Sequence, residues 1–454
     1  MANRQSINLT SSISVLAITI SLVAGQSVTH KSVAQTSTTP PPSGVVSING
    51  AGASTVNTLF VGTGTTAPFA PQGSWFNVYG VGNPPTLNDP AGAVNGPVST
   101  TTTFRYASVG SGTGVNSFLC RTVPPSTGAT ILAPISFGAT DDFLVGTERC
   151  STTPTVVPAP FVQVPVVGVG LALAYNRTGL TIPAAGLRLS RPTYCAILNG
   201  NITNWNDIRI RNDNGGAIIA ANRPLIVVRR SDNSGSTFVL SSHLNIACKT
   251  AATPGLPTAS VWNRGVGSIS TAGNVPPTPP ANTVVWPVSS LGASGGGGVA
   301  TAIAANAGAI GYVDSATRAA RSLPAAVLRN RAGNFTAISP TSISAALTGV
   351  ADSDPTFRRI RIVADDPTGA TAYPISTASY LLFYDQYTGT NAASIASGIR
   401  GFINWVAVPS GSPTADAIAT ARGYAPLPAS IKSQVQNVVN LCVDTVLDPA
   451  TTCN

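Results

Sequence analysis

Apolar positions in this chain fall into short β-branched runs, each ending in Gly, Ser, Thr or Asp, with helical spacing in between. Pro224-Leu225-Ile226-Val227-Val228 predicts a buried strand, and Phe238-Val239-Leu240 opens the helix that follows it. Val46-Ser47-Ile48-Asn49 and Phe104-Arg105-Tyr106-Ala107-Ser108-Val109 predict two earlier strands. A third is predicted from Ile131 to Phe137, ending in Gly138-Ala139-Thr140-Asp141-Asp142. The long apolar run Val162 to Asn176 predicts a strand passing between lobes. Leu187 to Asn206 reads as a helix and turn. Ser290 to Gly298 reads as a glycine loop before a helix, Val299 to Ala305, and Gly308 to Val313 as a buried strand. Ala372 to Ile375 leads into a strand at Tyr380-Leu381-Leu382-Phe383. Ile395, Ile399, Phe402, Ile403 and Val406 share one helical face within 392–406, and a final helix runs from Ile431 to Leu441. Residues 56–103, rich in Gly, Pro, Asn and Thr, read as an elaborated loop region. Strands alternating with helices predict an α/β sheet, whose ligand sites lie beyond the carboxyl ends of the strands. Three such ends carry small hydroxyl loops, 50–55, 110–114 and 231–236, and a fourth carries Asp141.

The loop at 231–236 carries the most chemistry. A strand feeding a helix through Ser234-Gly235-Ser236 aims free backbone N–H groups at one spot, the positive end of the helix dipole. Arg230 adds a bidentate grip suited to an oxyanion, and Asp232, two residues on, is placed to hold its fork.

Composition narrows the setting. The chain has 454 residues, enough for two or more domains, and is 43% hydrophobic but only 9% charged, against roughly 25% in ordinary soluble domains. Its surface must therefore be built largely of Ser, Thr, Asn and Gly. Residues 1–34 read as a cleaved signal peptide: Arg4, the apolar stretch Ile13 to Ala24, then Ser32-Val33-Ala34. No cysteine precedes Cys120, so a lipid anchor is not expected, and 35–45 reads as a Pro/Ser/Thr linker. Without Arg4 and Lys31 the chain keeps 23 basic and 16 acidic residues, with no basic clusters of the kind that grip nucleic acid. Six cysteines in an exported chain imply disulfides. Fifteen pairings are allowed; Cys195–Cys248 and Cys442–Cys453 are expected, which leaves Cys120 with Cys150. His30 and His243 are the two histidines, and no C-x-x-C occurs, so neither a metal site nor a cofactor is expected.

The strand-end motifs, taken in order, resemble the periplasmic phosphate-binding proteins of phosphate ABC transporters, the PstS family. They are Gly50-Ala51-Gly52-Ala53-Ser54, Val109 to Gly112, Phe137 to Asp141, Val164 to Gly168, Asn204 to Asp207, Val227 to Phe238, Gly308 to Val313, Tyr373 to Ile375 and Tyr424 to Pro428. Ile48-Asn49-Gly50 and the placement of Cys195 and Cys248 are also similar to the DING branch of that superfamily. The resemblance implies a type II two-lobed fold with two strand crossings as a hinge, at Val164–Val167 and Ala372–Ile375. Lobe one is then 46–165 with 373–454, and lobe two 166–372. It implies phosphate ligands at Ser54, at Thr55 through its backbone N–H (the family has an aromatic residue here), at Ser111, Asp141 and Arg230, and at Ser234, Gly235 and Ser236, with Asp232 supporting Arg230. It further implies a monomeric, non-enzymatic periplasmic protein that serves a membrane permease.

Asp141 fits such a site when the ligand is hydrogen phosphate, whose O–H donates to the carboxylate; sulfate has no such proton at neutral pH. The alternatives are a secreted DING-type protein or phosphatase-like hydrolase not coupled to transport, and an adhesive surface protein. Gly292-Ala293-Ser294-Gly295-Gly296 matches G-x-S-x-G, but no strand is predicted before it, and His243, the base outside the leader, reads as a helix-surface residue. A P-loop is excluded, since Gly-Lys-[Ser/Thr] does not occur.

Overall fold

The computed structural model describes residues 44–64, 67–79, 99, 101–125, 133–156, 159–253, 255–348, 351–353, 358–408 and 413–446. The expected signal peptide, nearly all of the expected linker, Ile131 and Cys453 lie outside these residues. Among the described residues no helix is long and apolar enough to cross a membrane.

The apolar runs assemble into one mixed sheet of eight strands: β1 (Val46–Gly52), β2 (Thr102–Ser108), β3 (Phe137–Thr140), β4 (Phe161–Tyr175), β5 (Ile226–Arg230), β6 (Leu291–Ala293), β7 (Ala309–Asp314) and β8 (Ser376–Tyr384). Their order is β2-β1-β3-β8-β4-β7-β5-β6. β1 lies parallel to β2 and β3, and β5 parallel to β7 and β6. Between these two parallel halves runs the antiparallel pair β4 and β8. All 15 residues of β4 are buried, which explains why its sequence is continuously apolar rather than alternating.

β4 changes partner along its length. Phe161 to Gly170 pair with β8, and Leu171 to Tyr175 pair with β7. The Leu171 N–H donates to the Ile375 carbonyl at 2.9 Å, and the Tyr373 hydroxyl donates to the Leu171 carbonyl at 3.0 Å. The two chain passages from one half of the sheet to the other therefore run side by side.

The helices that start at 111, 235 and 295 begin at the carboxyl ends of parallel strands, and others pack around the sheet. They include α1 (Ser111–Leu119), α2 (Arg191–Asn199), α3 (Gly235–Ala247), α4 (Gly295–Ala305), α5 (Ala392–Ala407) and α6 (Ala429–Cys442). Three of them start earlier than the periodicity predicts. Ser111, Gly235 and Gly295, read as loop residues, are the first residues of α1, α3 and α4. A first helical turn has no intrahelical N–H bonds, so small polar residues there look like a loop in sequence.

The stretch 56–103 departs further from expectation. Its described part holds two short helices, Asn57–Phe60 and Trp75–Tyr79, and the start of β2. Phe60, Trp75, Phe76 and Tyr79 pack with Phe104, Phe402 and Trp405; Phe60 and Phe76 have ring centroids 4.6 Å apart, and Phe76 and Phe402 5.5 Å. Burial of large aromatic rings overrides the turn-forming composition around them. α5 presents Ile399, Phe402, Ile403 and Val406 to this core as expected, with Ile395 partly buried.

Cys120 pairs with Cys150 and Cys195 with Cys248. Cys442 is also disulfide-bonded. The expected pairing with Cys453 lies outside the described residues.

His243 is buried rather than on a helix surface. The Asp365 carbonyl lies 2.6 Å from its Nδ1 and the Tyr194 hydroxyl 3.1 Å from its Nε2. A carbonyl only accepts, so Nδ1 carries the hydrogen and Nε2 accepts from Tyr194 in a neutral ring. Burial pushes its pKa down to about 4; Asp366 and the Asp365 carbonyl oppose that, and Arg191 adds to it. The unfolded chain, with a histidine pKa near 6.5, thus binds one more proton than the folded chain between about pH 4 and 6.5. Stability from this group is present above about pH 6.5 and is lost as pH falls through about 4, amounting to about 3 kcal/mol. Denaturant unfolding should show this loss in the wild-type protein and not in His243→Gln; parallel pH curves for the two would disprove a buried neutral ring.

Candidate functional site

The carboxyl ends of β1, β2, β3, β5 and β6 and the middle of β8 meet at one group of buried polar residues. Asp141, just past β3, is 3% exposed. Its Oδ1 accepts from Thr55 Oγ1 at 2.5 Å and Ser379 Oγ at 2.6 Å, and its Oδ2 accepts from Ser236 Oγ at 3.1 Å. Burial pushes the Asp141 pKa up, while the three hydroxyls and Arg230 pull it back. Thr55, expected to act through its backbone N–H, engages Asp141 through its side chain. Its carbonyl accepts from the Tyr424 hydroxyl at 2.5 Å.

Arg230 ends β5 and is 2% exposed. Its Nε donates to Asp232 Oδ1 at 2.7 Å, its Nη2 donates to Asp232 Oδ2, and its Nη1 donates to Ser54 Oγ at 3.2 Å. Asp232 thus holds the fork, as its spacing predicts. The Arg230 N–H donates to the Tyr312 hydroxyl, whose ring stacks on Trp286 with centroids 5.6 Å apart. A buried aromatic core behind the site thereby fixes where the guanidinium starts.

Ser111, Ser234, Gly235 and Ser236 lie at the starts of α1 and α3. The Ser234 hydroxyl oxygen caps α3 by accepting the Thr237 N–H at 3.3 Å. The two helix starts touch. A methyl group on Gly235 would lie 2.6 Å from Ser111 Oγ and 3.0 Å from Asp141 Cβ. One on Gly110, whose φ is +87°, would lie 2.8 Å from Asp232 Oδ2. The Gly112 N–H donates to the Asn233 carbonyl at 3.3 Å. The structure therefore brings all eight candidate ligand residues and Asp232 into one cluster, with Ser54, Thr55, Ser111 and Asp141 from one half of the sheet and Arg230 to Ser236 from the other.

Four further residues escape the sequence reading. Ser379 is a polar residue inside the apolar strand β8, and a register shift between Ser379 and Tyr380 marks it. The Ser376-Thr377-Ala378-Ser379 hydroxyl cluster ahead of the apolar Tyr380 to Phe383 was the available signal. The Gly295 and Gly296 N–H groups, opening α4, donate to Asp232 Oδ1 at 3.0 Å and Ser54 Oγ at 3.1 Å. Asp314, the last residue of β7, is 2% exposed; its Oδ1 accepts the Thr317 N–H at 2.8 Å, as the cap of the short helix Ser315–Ala320. Its place just before Ser-Ala-Thr was the cue.

The cluster offers hydroxyls, helix-start N–H groups, one guanidinium and a buried carboxylate. It suits a small oxyanion that also carries a hydrogen for Asp141 to accept. Among the described residues no cluster of His, Cys, Asp and Glu fits a metal ion. The G-x-S-x-G match does follow a strand, β6, contrary to expectation. Ser294 nevertheless has ordinary extended dihedrals as the residue before α4, and both ring nitrogens of His243 are engaged elsewhere.

Comparison with known proteins agrees with this geometry. Residues 93–410 match the PBP superfamily domain. The phosphate-binding protein PstS of Xylella fastidiosa is 26% identical over 378 residues, which cover 83% of this chain and 88% of that protein. The phosphate-binding protein PstS of Methanocaldococcus jannaschii is 28% identical over 295 residues, 62% of this chain and 67% of that protein. Two solved structures are similar in fold. The high-affinity periplasmic phosphate-binding protein PfluDING bound with phosphate has a TM-score of 0.58 at 22% identity, covering 86% of this chain and 93% of that one. The phosphate-binding protein of Stenotrophomonas maltophilia has a TM-score of 0.58 at 21% identity, covering 90% and 98%. The α/β sheet with its two parallel halves is the two-lobed fold of periplasmic binding proteins.

Proposed function

The chain belongs to the PBP superfamily, and from that premise we propose that it is an exported, monomeric solute-binding protein that captures inorganic phosphate between its lobes for an ABC permease. The observation that carries this reading is Asp141: a buried carboxylate facing a ring of hydroxyls and helix starts, with Arg230 fixed beside it. A carboxylate next to an anion is repulsive unless the anion brings a hydrogen, and hydrogen phosphate does. The names of the curated relatives support the same ligand. Ser54, Thr55, Ser111, Ser234, Gly235 and Ser236 supply the remaining donors, and Asp232 orients Arg230. The proposed lobes are 46–165 with 373–454, and 166–372. Their joins fall within about five residues of the point where β4 changes partner. Exchange of Ser54 partners, from Arg230 and Gly296 to the ligand, would accompany opening and closing.

Equilibrium titration of the purified protein should give about one phosphate per chain at micromolar concentration and no response to sulfate; silence toward phosphate refutes the reading. Arg230→Ala removes the charge partner of a desolvated anion and should weaken phosphate binding by about 2–5 kcal/mol. Unchanged affinity would take Arg230 out of the site. Asp141→Asn replaces an acceptor by a group that also donates, so sulfate competition should become measurable. Selectivity equal to wild type would show that Asp141 does not read the ligand's hydrogen.

A further inference from the structure

Charges around the cluster do not balance for an anion. The Arg230 charge is already paired with Asp232. Asp141 and Asp314 are both buried, and among the described residues neither is in an ion pair. Asp314 Oδ1 caps a helix, whereas its Oδ2 is buried with no hydrogen-bond partner among the described residues. That oxygen borders the first loop of the site: a methyl group on Gly296 would lie 3.3 Å from Asp314 Oδ2 and 3.4 Å from Ser54 Oγ. Ser54 Oγ in turn accepts from Arg230 Nη1 and the Gly296 N–H. An ionised Asp314 would therefore add an uncompensated negative charge beside the place where the anion is to sit, in surroundings that screen charge far less than water does. A protonated Asp314 removes the repulsion and turns the unpartnered oxygen into a potential donor.

We propose that Asp314 is a second carboxyl group of the anion site and, unlike Asp141, carries a proton and is uncharged when the anion is seated, so that the protein takes up a proton at Asp314 together with its ligand. This rests on the phosphate reading of the site. The groups that face Asp314 agree in sign. Burial pushes its pKa up to about 6; the Thr317 backbone and hydroxyl oppose that, Asp141 adds to it and Arg230 opposes it. Tyr424, behind the first loop, and Arg318, on the capped helix, also sense its charge. A seated dianion favours the protonated form further, and linkage makes the effect reciprocal. Each pH unit above the Asp314 titration range then weakens binding by up to about tenfold.

The test is phosphate titration of the full chain at about pH 5.5, 7 and 8.5, run in two buffers with different heats of protonation so that proton uptake is counted. Asp314→Asn and Asp314→Ser both keep an oxygen that caps Thr317. The expected result is at least about tenfold tighter binding than wild type near pH 8.5, a flatter dependence of affinity on pH, and fewer protons taken up. Wild type itself should take up protons from the buffer near pH 8.5, where the free ligand is already the dianion. The proposal is overturned by zero uptake in wild type, by identical profiles in wild type and variants, or by variants that bind more weakly at every pH, as a purely structural role would produce. Failure of wild type to bind phosphate at any pH would instead sink the reading of the ligand.

Discussion

The structure depends on keeping the desolvated carboxylate of Asp141 supplied with donors. An ionised group out of water is costly unless hydrogen bonds replace its hydration. Asp141 obtains them from Thr55, Ser236 and Ser379, which lie 86, 95 and 238 residues away in sequence. No local segment can provide such a set. The fold has to bring the end of β1, the start of α3 and the middle of β8 to one point, and the mixed sheet does so. Its central antiparallel pair places Ser379 between the two parallel halves, whose strand ends carry the other two hydroxyls.

Glycine makes the approach possible. The starts of α1, α3 and α4 come together from opposite halves of the sheet, and side chains at Gly110, Gly112 or Gly235 would occupy the space of Asp232, Asn233 or Ser111. Backbone N–H groups can then face the site directly. This is also why a glycine run that reads as a flexible loop, 295–298, is the first turn of a helix.

Charge is used sparingly in this chain, and much of it is inside. Arg191 pairs with Asp366, Arg230 with Asp232 and Arg358 with Asp385, all with side chains largely removed from solvent. A buried pair contributes little net stability, but breaking one leaves an uncompensated charge, so it holds geometry firmly. For Arg230 that means a guanidinium already oriented before a ligand arrives, held by Asp232 on one side and by the Tyr312 hydroxyl at its backbone.

The strand runs apart from β6, the hydroxyl turns at their ends, the Arg230–Asp232 pair and the face of α5 were legible in the chain itself, because each is set by nearby residues in sequence. The Cys195–Cys248 and Cys120–Cys150 bridges were expected among the fifteen pairings that six cysteines allow, and the structure contains both. Other features were decided only by tertiary contact. Trp75 and Phe76 sit in a turn-rich stretch and are helical because the ring of Phe402, more than 300 residues on, packs against them. His243 is apolar in behaviour because Tyr194 and the Asp365 carbonyl occupy both of its nitrogens. Ser379 and Asp314 enter the site only through the pairing of strands that are distant in sequence. Local patterns record hydrophobic period and turn chemistry, whereas the environment of a single buried polar atom depends on which remote residues the sheet places beside it.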